Sequence, residues 1–184
     1  MKECANAPNN KQTAIAQSAI EVLQKYPQQV LVVKGGQGKS RIAAMIAFIA
    51  VETGVAERVH MVYTNRILKE KDQDDFKQLW SISEHVDAVA YHEDIEFSIG
   101  NGELVIFDEA DEYIYGSTQQ FLDFVKEHRA ICMTATRGGT AQDHSEKMIL
   151  QHIGLQIFDS DTQGKLDFRH ITFLAYRTIH GSRA

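Results

Sequence analysis

The stretch VVKGGQGKSRIA, Val32 to Ala43, decides how the rest of the chain is read. It follows the apolar run VLVV, Val30 to Val33, which reads as a strand buried on both faces, and it leads into a helical pattern from Ser40 to Glu52 with Gly54 as its stop. Glycine has no side chain to block close approach, so Gly35, Gly36 and Gly38 let the loop, Gln37 included, turn backbone N–H groups toward an anion. A helix that begins at the loop's end adds N–H groups of its own. Lys39 stands where a lysine reaches the β and γ phosphates, and the Ser40 hydroxyl stands where it ligates Mg²⁺. Val33 takes the place of the first glycine of the common G-x-x-x-x-G-K-S pattern, and the plain alternative is a glycine-rich turn before a helix.

Outward from this loop, short β-rich runs alternate with longer stretches of helical period. That alternation predicts an α/β fold with a mostly parallel sheet flanked by helices on both faces. Upstream, Ile15, Ala19, Val22, Leu23 and Tyr26 recur at helical spacing. Downstream come strands at Val59 to Tyr63, Val86 to Ala90, Glu103 to Phe107 and Ala130 to Met133, and a helix from about Ile67 to Leu79. Ser117 and Gln120 have capping-box spacing ahead of a helix carrying Phe121, Leu122 and Val125. The last elements are a helix at Lys147 to Ile153 and strands near Leu155 to Phe158 and His170 to Tyr176, with a polar turn at Ser160 to Lys165.

With 184 residues the chain has length for one sizeable core, residues 1–184 forming a single domain. Its 19 basic and 25 acidic side chains give a net charge of −6, so no overall positive field draws it to nucleic acid or an anionic membrane, and any such contact is local. The longest apolar run, Ile42 to Val51, is shorter than the roughly 20 residues that span a bilayer, and the first ten residues lack the apolar segment of a signal peptide. A soluble cytoplasmic protein with no membrane span is the expectation. Cys4 and Cys132 are too far apart in sequence to suggest a Cys-x-x-Cys site; they read as a tail thiol and a small buried side chain. No histidines fall at metal-ligand spacing. Lys69, Glu70, Lys71, Asp72, Asp74 and Asp75 alternate in sign along a helix and read as a solvated face.

The sequence Phe107-Asp108-Glu109-Ala110-Asp111 places carboxylates at the end of a buried strand, on the sheet edge where α/β proteins bind ligands. Asp108 is placed to hold magnesium and Glu109 to act on the water that attacks the γ-phosphate. The two motifs in this order, each after a strand, support each other where either alone is weak.

At this point the sequence resembles the first RecA-like lobe of the superfamily 2 helicases and translocases. Gly35 to Ser40 matches motif I in its helicase variant, Asp108 to Asp111 matches motif II letter for letter, and Met133 to Gly139 is similar to motif III, with Thr134-Ala135-Thr136 in the place of Ser-Ala-Thr. The resemblance implies a RecA-like P-loop domain that binds ATP or ADP with Mg²⁺ and hydrolyses ATP. It implies Lys39 and Glu109 as catalytic residues, Ser40 and Asp108 as magnesium ligands, and Asp111, Thr134 and Thr136 as couplers of the nucleotide state to a partner lobe. Many relatives read adenine with a glutamine ahead of the loop, and Gln12 and Gln17 both have the spacing. The family works through a second RecA-like lobe with an arginine finger, which these residues do not supply, so the chain reads as one lobe of a larger motor, weak in hydrolysis by itself. Arg66, at the head of its helix, is a candidate for substrate contact.

The track stays open between three readings. A nucleic-acid motor, most simply on RNA, follows from the helicase-like motif III. A SecA-like lobe acting on unfolded polypeptide follows from the rhythm of Tyr63 to Trp80 and from the absence of a Thr-Pro-Gly-like motif in His92 to Glu103. A nucleotide-gated binding module without motor activity is the third.

Overall fold

The computed structural model of the chain describes residues 8–33, 36–80, 85–90, 99–110, 118–135, 156–162 and 165–169. Its strands are β1 (Gln28–Val32), β2 (Val59–Tyr63), β3 (Val86–Ala90), β4 (Leu104–Phe107), β5 (Arg129–Thr134), β6 (Gln156–Thr162) and β7 (Lys165–Arg169). Its helices are α1 (Asn10–Leu23), α2 (Lys39–Glu52), α3 (Arg66–Trp80) and α4 (Thr118–Glu127). The strands form one sheet in the order β3-β2-β4-β5-β1-β6-β7. All neighbours are parallel except β6 and β7, which form an antiparallel pair at the edge. The predicted α/β fold with a mostly parallel sheet is therefore the one observed.

Strand alternation explains why the sheet carries helices on both faces. Along β4, Leu104 and Ile106 join the core beneath α1, α2 and α3, as do Ile131 and Met133 of β5. Phe107, the alternate residue, turns to the other face, where it meets Phe121 of α4 edge-on at 4.9 Å and Phe124 at 5.8 Å. Successive residues thus supply two cores, so the central strands read as unbroken apolar runs.

Each helix on the first face has a local reason to start where it does. At α1, the Asn9 side chain accepts the Gln12 amide N–H and the Gln12 side chain accepts that of Asn9, both at 2.9 Å, a reciprocal capping box. Asn65 caps α3 through the Leu68 amide at 3.0 Å. At α2, Gly38 stands at the cap in the left-handed region with φ of 79°, and the alanines Ala43, Ala44, Ala47 and Ala50 are buried, letting α1 and the sheet approach closely.

Some expectations change. The turn read at Ser160 to Lys165 is largely strand, since β6 continues to Thr162 and β7 resumes at Lys165, in register with it. Polar side chains conceal this pairing because an edge hairpin is held by backbone hydrogen bonds. Among the acidic residues of α3, Asp72 is 4% exposed, so it leaves the solvated face assigned to it. The helix at Lys147 to Ile153, the strand at His170 to Tyr176, Ser117 and Cys4 lie outside the described residues. Phe76 packs into the core. Cys132 is buried, and burial pushes its thiol up to about 12. No helix among the described residues is long and apolar enough to cross a membrane.

Candidate functional site

The loop after β1 and the turn after β4 meet at the carboxyl edge of the sheet, although β5 lies between the two strands. Parallel pairing of β5 with both β1 and β4 fixes their separation. The Val33 amide donates to the Thr134 carbonyl at 2.8 Å, and the Asp108 amide donates to the Val62 carbonyl at 3.0 Å, so pairing runs up to the first residue beyond each strand. Lys39, the first residue of α2, crosses the gap: its Nζ lies 3.2 Å from Asp108 Oδ1 and in contact with Glu109 Oε1. Lys39 and Asp108 are nearly buried, with side chains 11% and 8% exposed, while Glu109 is 35% exposed. A buried carboxylate and a more open one thus share one amine.

Backbone conformation marks the same place. Gly36 and Gly38 have φ of 80° and 79°, and Glu109, with φ of 51°, is the one non-glycine residue with positive φ among the described residues. A glutamate in the left-handed region is uncommon and costs of order 1 to 3 kcal/mol, which points to a functional position. Here it directs the carboxylate onto Lys39.

The glutamine question resolves into a difference of position. Gln12 is buried and its Nε2 donates to the Gln37 carbonyl at 2.9 Å, while its Oε1 accepts from Asn9. Gln17 is exposed on the same helix. Gln12 therefore touches the loop, and a Cβ at Gly38 would run into its amide.

One acidic residue of α3 departs from the solvated face that the sequence reading gave it. Leu68, Asp72 and Phe76 follow one another at i, i+4 and i+8 along α3, and Asp72 is buried between its partly and fully buried neighbours. That apolar spacing is the signal that could have found it. Burial, and then the charge of Asp108, push the Asp72 carboxyl above its ordinary value, and Lys71 and the hydroxyls of Ser40 and Tyr63 act in the opposite sense. Lys71 Nζ lies 3.6 Å from Asp72 Oδ1, but its shorter contact, 2.8 Å, is to Asp75 Oδ2. The Tyr63 hydroxyl is buried.

Of the residues expected at the site, Gly36, Gln37, Gly38, Lys39, Ser40, Asp108 and Glu109 stand at this edge, and Thr134 closes β5 beside them. Gly35, Asp111 and Thr136 lie outside the described residues. Arg66 heads α3 with its guanidinium on Glu70 at 2.7 Å, an exposed helical pair.

No family model matches the chain, and no curated protein matches it by sequence. Among solved structures it is similar to the SWI2/SNF2 ATPase core of Sulfolobus solfataricus in complex with dsDNA, with a TM-score of 0.53 and 15% identity over 76% of this chain and 34% of that one. It is also similar to the large terminase ATPase domain of Thermus phage P74-26, with a TM-score of 0.46 and 12% identity over 74% of this chain and 68% of that one. The chain thus spans about a third of the SWI2/SNF2 core, and the likeness to it is one of fold, the RecA-like P-loop α/β fold.

Proposed function

We propose that the chain is the nucleotide-binding and hydrolysing lobe of a motor that works on nucleic acid, using ATP with Mg²⁺. The observation that carries this reading is the meeting of Lys39 with Asp108 and Glu109 at the mouth of a glycine loop. A loop, a lysine and a hydroxyl that follow β1 and two carboxylates that follow β4 converge there, as phosphoryl transfer to water requires.

In this reading Gly36, Gln37 and Gly38 present backbone N–H groups to the phosphates, together with the adjoining Gly35 and the start of α2. Lys39, within reach of both loop and carboxylates, turns its amine to the β and γ phosphates. Ser40 and Asp108 are hard oxygen donors of the kind Mg²⁺ takes, and the buried Asp108 Oδ1 already faces a cation, the Lys39 amine at 3.2 Å. Magnesium, when bound, neutralises charge on the phosphates. Glu109, more exposed than Asp108, orients and deprotonates the attacking water. Thr134 joins β5 to the loop through Val33, and with Asp111 and Thr136 it carries the state of the site to a second lobe.

One structural relative is a core bound to dsDNA, which favours a nucleic-acid track, and RNA and duplex DNA are the two arms of the test. Unfolded polypeptide is the second reading, favoured by Ile67, 78% exposed at the head of α3. ATP hydrolysis is measured with single-stranded RNA, duplex DNA or unfolded polypeptide titrated in, and with Glu109→Gln as the blank. A rise with nucleic acid that weakens with added salt is expected. A rise with polypeptide alone would replace this reading with the translocase one.

A further inference from the structure

We infer that Gln12 is a positioning residue of the phosphate loop and not the reader of a base: its amide holds the Gln37 carbonyl and so aims the Gly38 N–H at the phosphate chain. The inference rests on the nucleotide reading above and adds to it a residue from α1, outside both motifs, whose loss costs every phosphate ligand alike.

The geometry begins with the capping box. Asn9 and Gln12 fix each other's side chains at the head of α1, and Ala16 and Ala19 of that helix share a core with Ala43, Ala44 and Ala47 of α2. From this anchored position Gln12 Nε2 donates to the Gln37 carbonyl at 2.9 Å, across 25 residues of sequence. The peptide joining Gln37 to Gly38 is trans, and a trans peptide points its C=O and its N–H in opposite directions. Holding the carbonyl on Gln12 therefore turns the Gly38 N–H away from α1. A loop that grips an anion works by N–H groups turned inward, and an unheld peptide is free to flip its carbonyl toward the phosphates, where it repels them. At Gly38 itself, with φ of 79°, a Cβ would run into the same amide, so Gln12 also fills the space that a side chain there would take.

The same contacts remove Gln12 from the base. To read adenine, an amide presents its oxygen and its nitrogen together to one base edge. Here the oxygen accepts the Asn9 N–H at 2.9 Å, the nitrogen faces Gln37, and the residue is 5% exposed. Both ends of the amide are engaged by the protein itself, in a place closed to a base.

The test is displacement of a fluorescent ADP analogue, with Mg²⁺ present, by ATP, GTP and inorganic tripolyphosphate. Gln12→Ala should raise the dissociation constants of all three by one common factor of about 3 to 10, the effect of a single lost hydrogen bond. Gln12→Met keeps the length of the side chain and loses its amide; it should behave alike, and it carries the test if the alanine variant does not fold. Asn9→Ala separates this role from support of α1. It loses the cap on the Gln12 amide but keeps its own N–H for Gln12 Oε1, so its thermal midpoint should fall while all three affinities stay at the parent level. A loss greater for ATP than for GTP and tripolyphosphate would make Gln12 a reader of adenine and overturn the inference. Parent-level affinities in both Gln12 variants, or an equal loss in Asn9→Ala, would overturn it as well. A parent chain that binds neither the analogue nor any of the three competitors overturns the nucleotide reading, and this inference with it.

Discussion

The Lys39 amine lies 3.2 Å from Asp108 Oδ1, so the first residue of α2 and the first residue beyond β4 are joined across an intervening strand. The pair is nearly buried, and its strength depends on both members. Removing the amine leaves Asp108 charged and without its cation in a place that water barely reaches. Lys39→Ala should therefore abolish nucleotide binding and also lower the stability of the free chain by about 3 kcal/mol. Nucleotide fluorescence titration and urea denaturation check the two effects. A variant that bound Mg-ATP as the parent does would end the phosphate-loop reading.

Glu109 has a different assignment from Asp108, and the two should separate in kinetics. Glu109→Gln keeps the side-chain shape and removes the base, so nucleotide affinity should hold while single-turnover hydrolysis falls by about 10² to 10⁴. Equal hydrolysis in parent and variant would move the base elsewhere.

Gln12 and Gly38 should be coupled. Gly38→Ala introduces a left-handed alanine at a cost of about 1 to 2 kcal/mol, and its Cβ would meet the Gln12 amide. Gln12→Ala loses the capping box and the bond to Gln37, at a cost of about 1 to 2 kcal/mol. The double variant should lose less than the sum of the two, because the shorter side chain makes room for the new Cβ. Denaturation of all four proteins gives the coupling, and strict additivity would rule out the contact.

The acid response should come in part from the opposite edge of the sheet. Glu103 accepts from the Gly100 amide at 2.8 Å and meets His60 Nε2 at 2.9 Å, and these contacts hold its carboxyl below its ordinary value of 4.5. A carboxylate lowered in this way stabilises the fold fully above 4.5, and the contribution disappears as pH falls through the lowered folded-state value. Glu103→Gln should thus be less stable than the parent above the ordinary value of 4.5 and should converge with it as pH falls through the lowered folded-state value. Parallel stability curves for the two would show that the contacts contribute nothing.

Cys132 should be inert in the folded chain. Its thiol is buried and pushed up to about 12, so alkylation should follow only when urea opens the core. Prompt labelling of Cys132 in the native state would contradict its position beneath α4.

Much of this molecule was legible before its fold was known, and the parts that were not share a cause. The strands at Val59 and Leu104 and the helix at Ser40 are set by local rules: runs of apolar residues, glycine where the backbone must turn left-handed, a helix pattern after it. The strand at Lys165 escaped because Lys165 to Arg169 pairs with β6 through its backbone, which leaves little trace in composition. Asp72 escaped for a related reason. Charges that alternate along a helix usually face water, and Arg66–Glu70 and Lys71–Asp75 do so as i, i+4 pairs. Asp72 shares their stretch, but it also shares the apolar row of Leu68 and Phe76, and only the fold decides which membership prevails.

By itself the sequence determined the glycine loop with its lysine and serine, the acidic turn after a buried strand, and the alternation that makes the sheet parallel, because each depends on residues adjacent in the chain. The tertiary structure decided that Lys39 meets Asp108 and Glu109, that Gln12 rather than Gln17 touches the loop, and that Asp72 is buried. Those contacts join segments distant in sequence, and their energies come from burial and from charges brought close in a poorly solvated place, conditions that exist only once the sheet has brought its strand ends together.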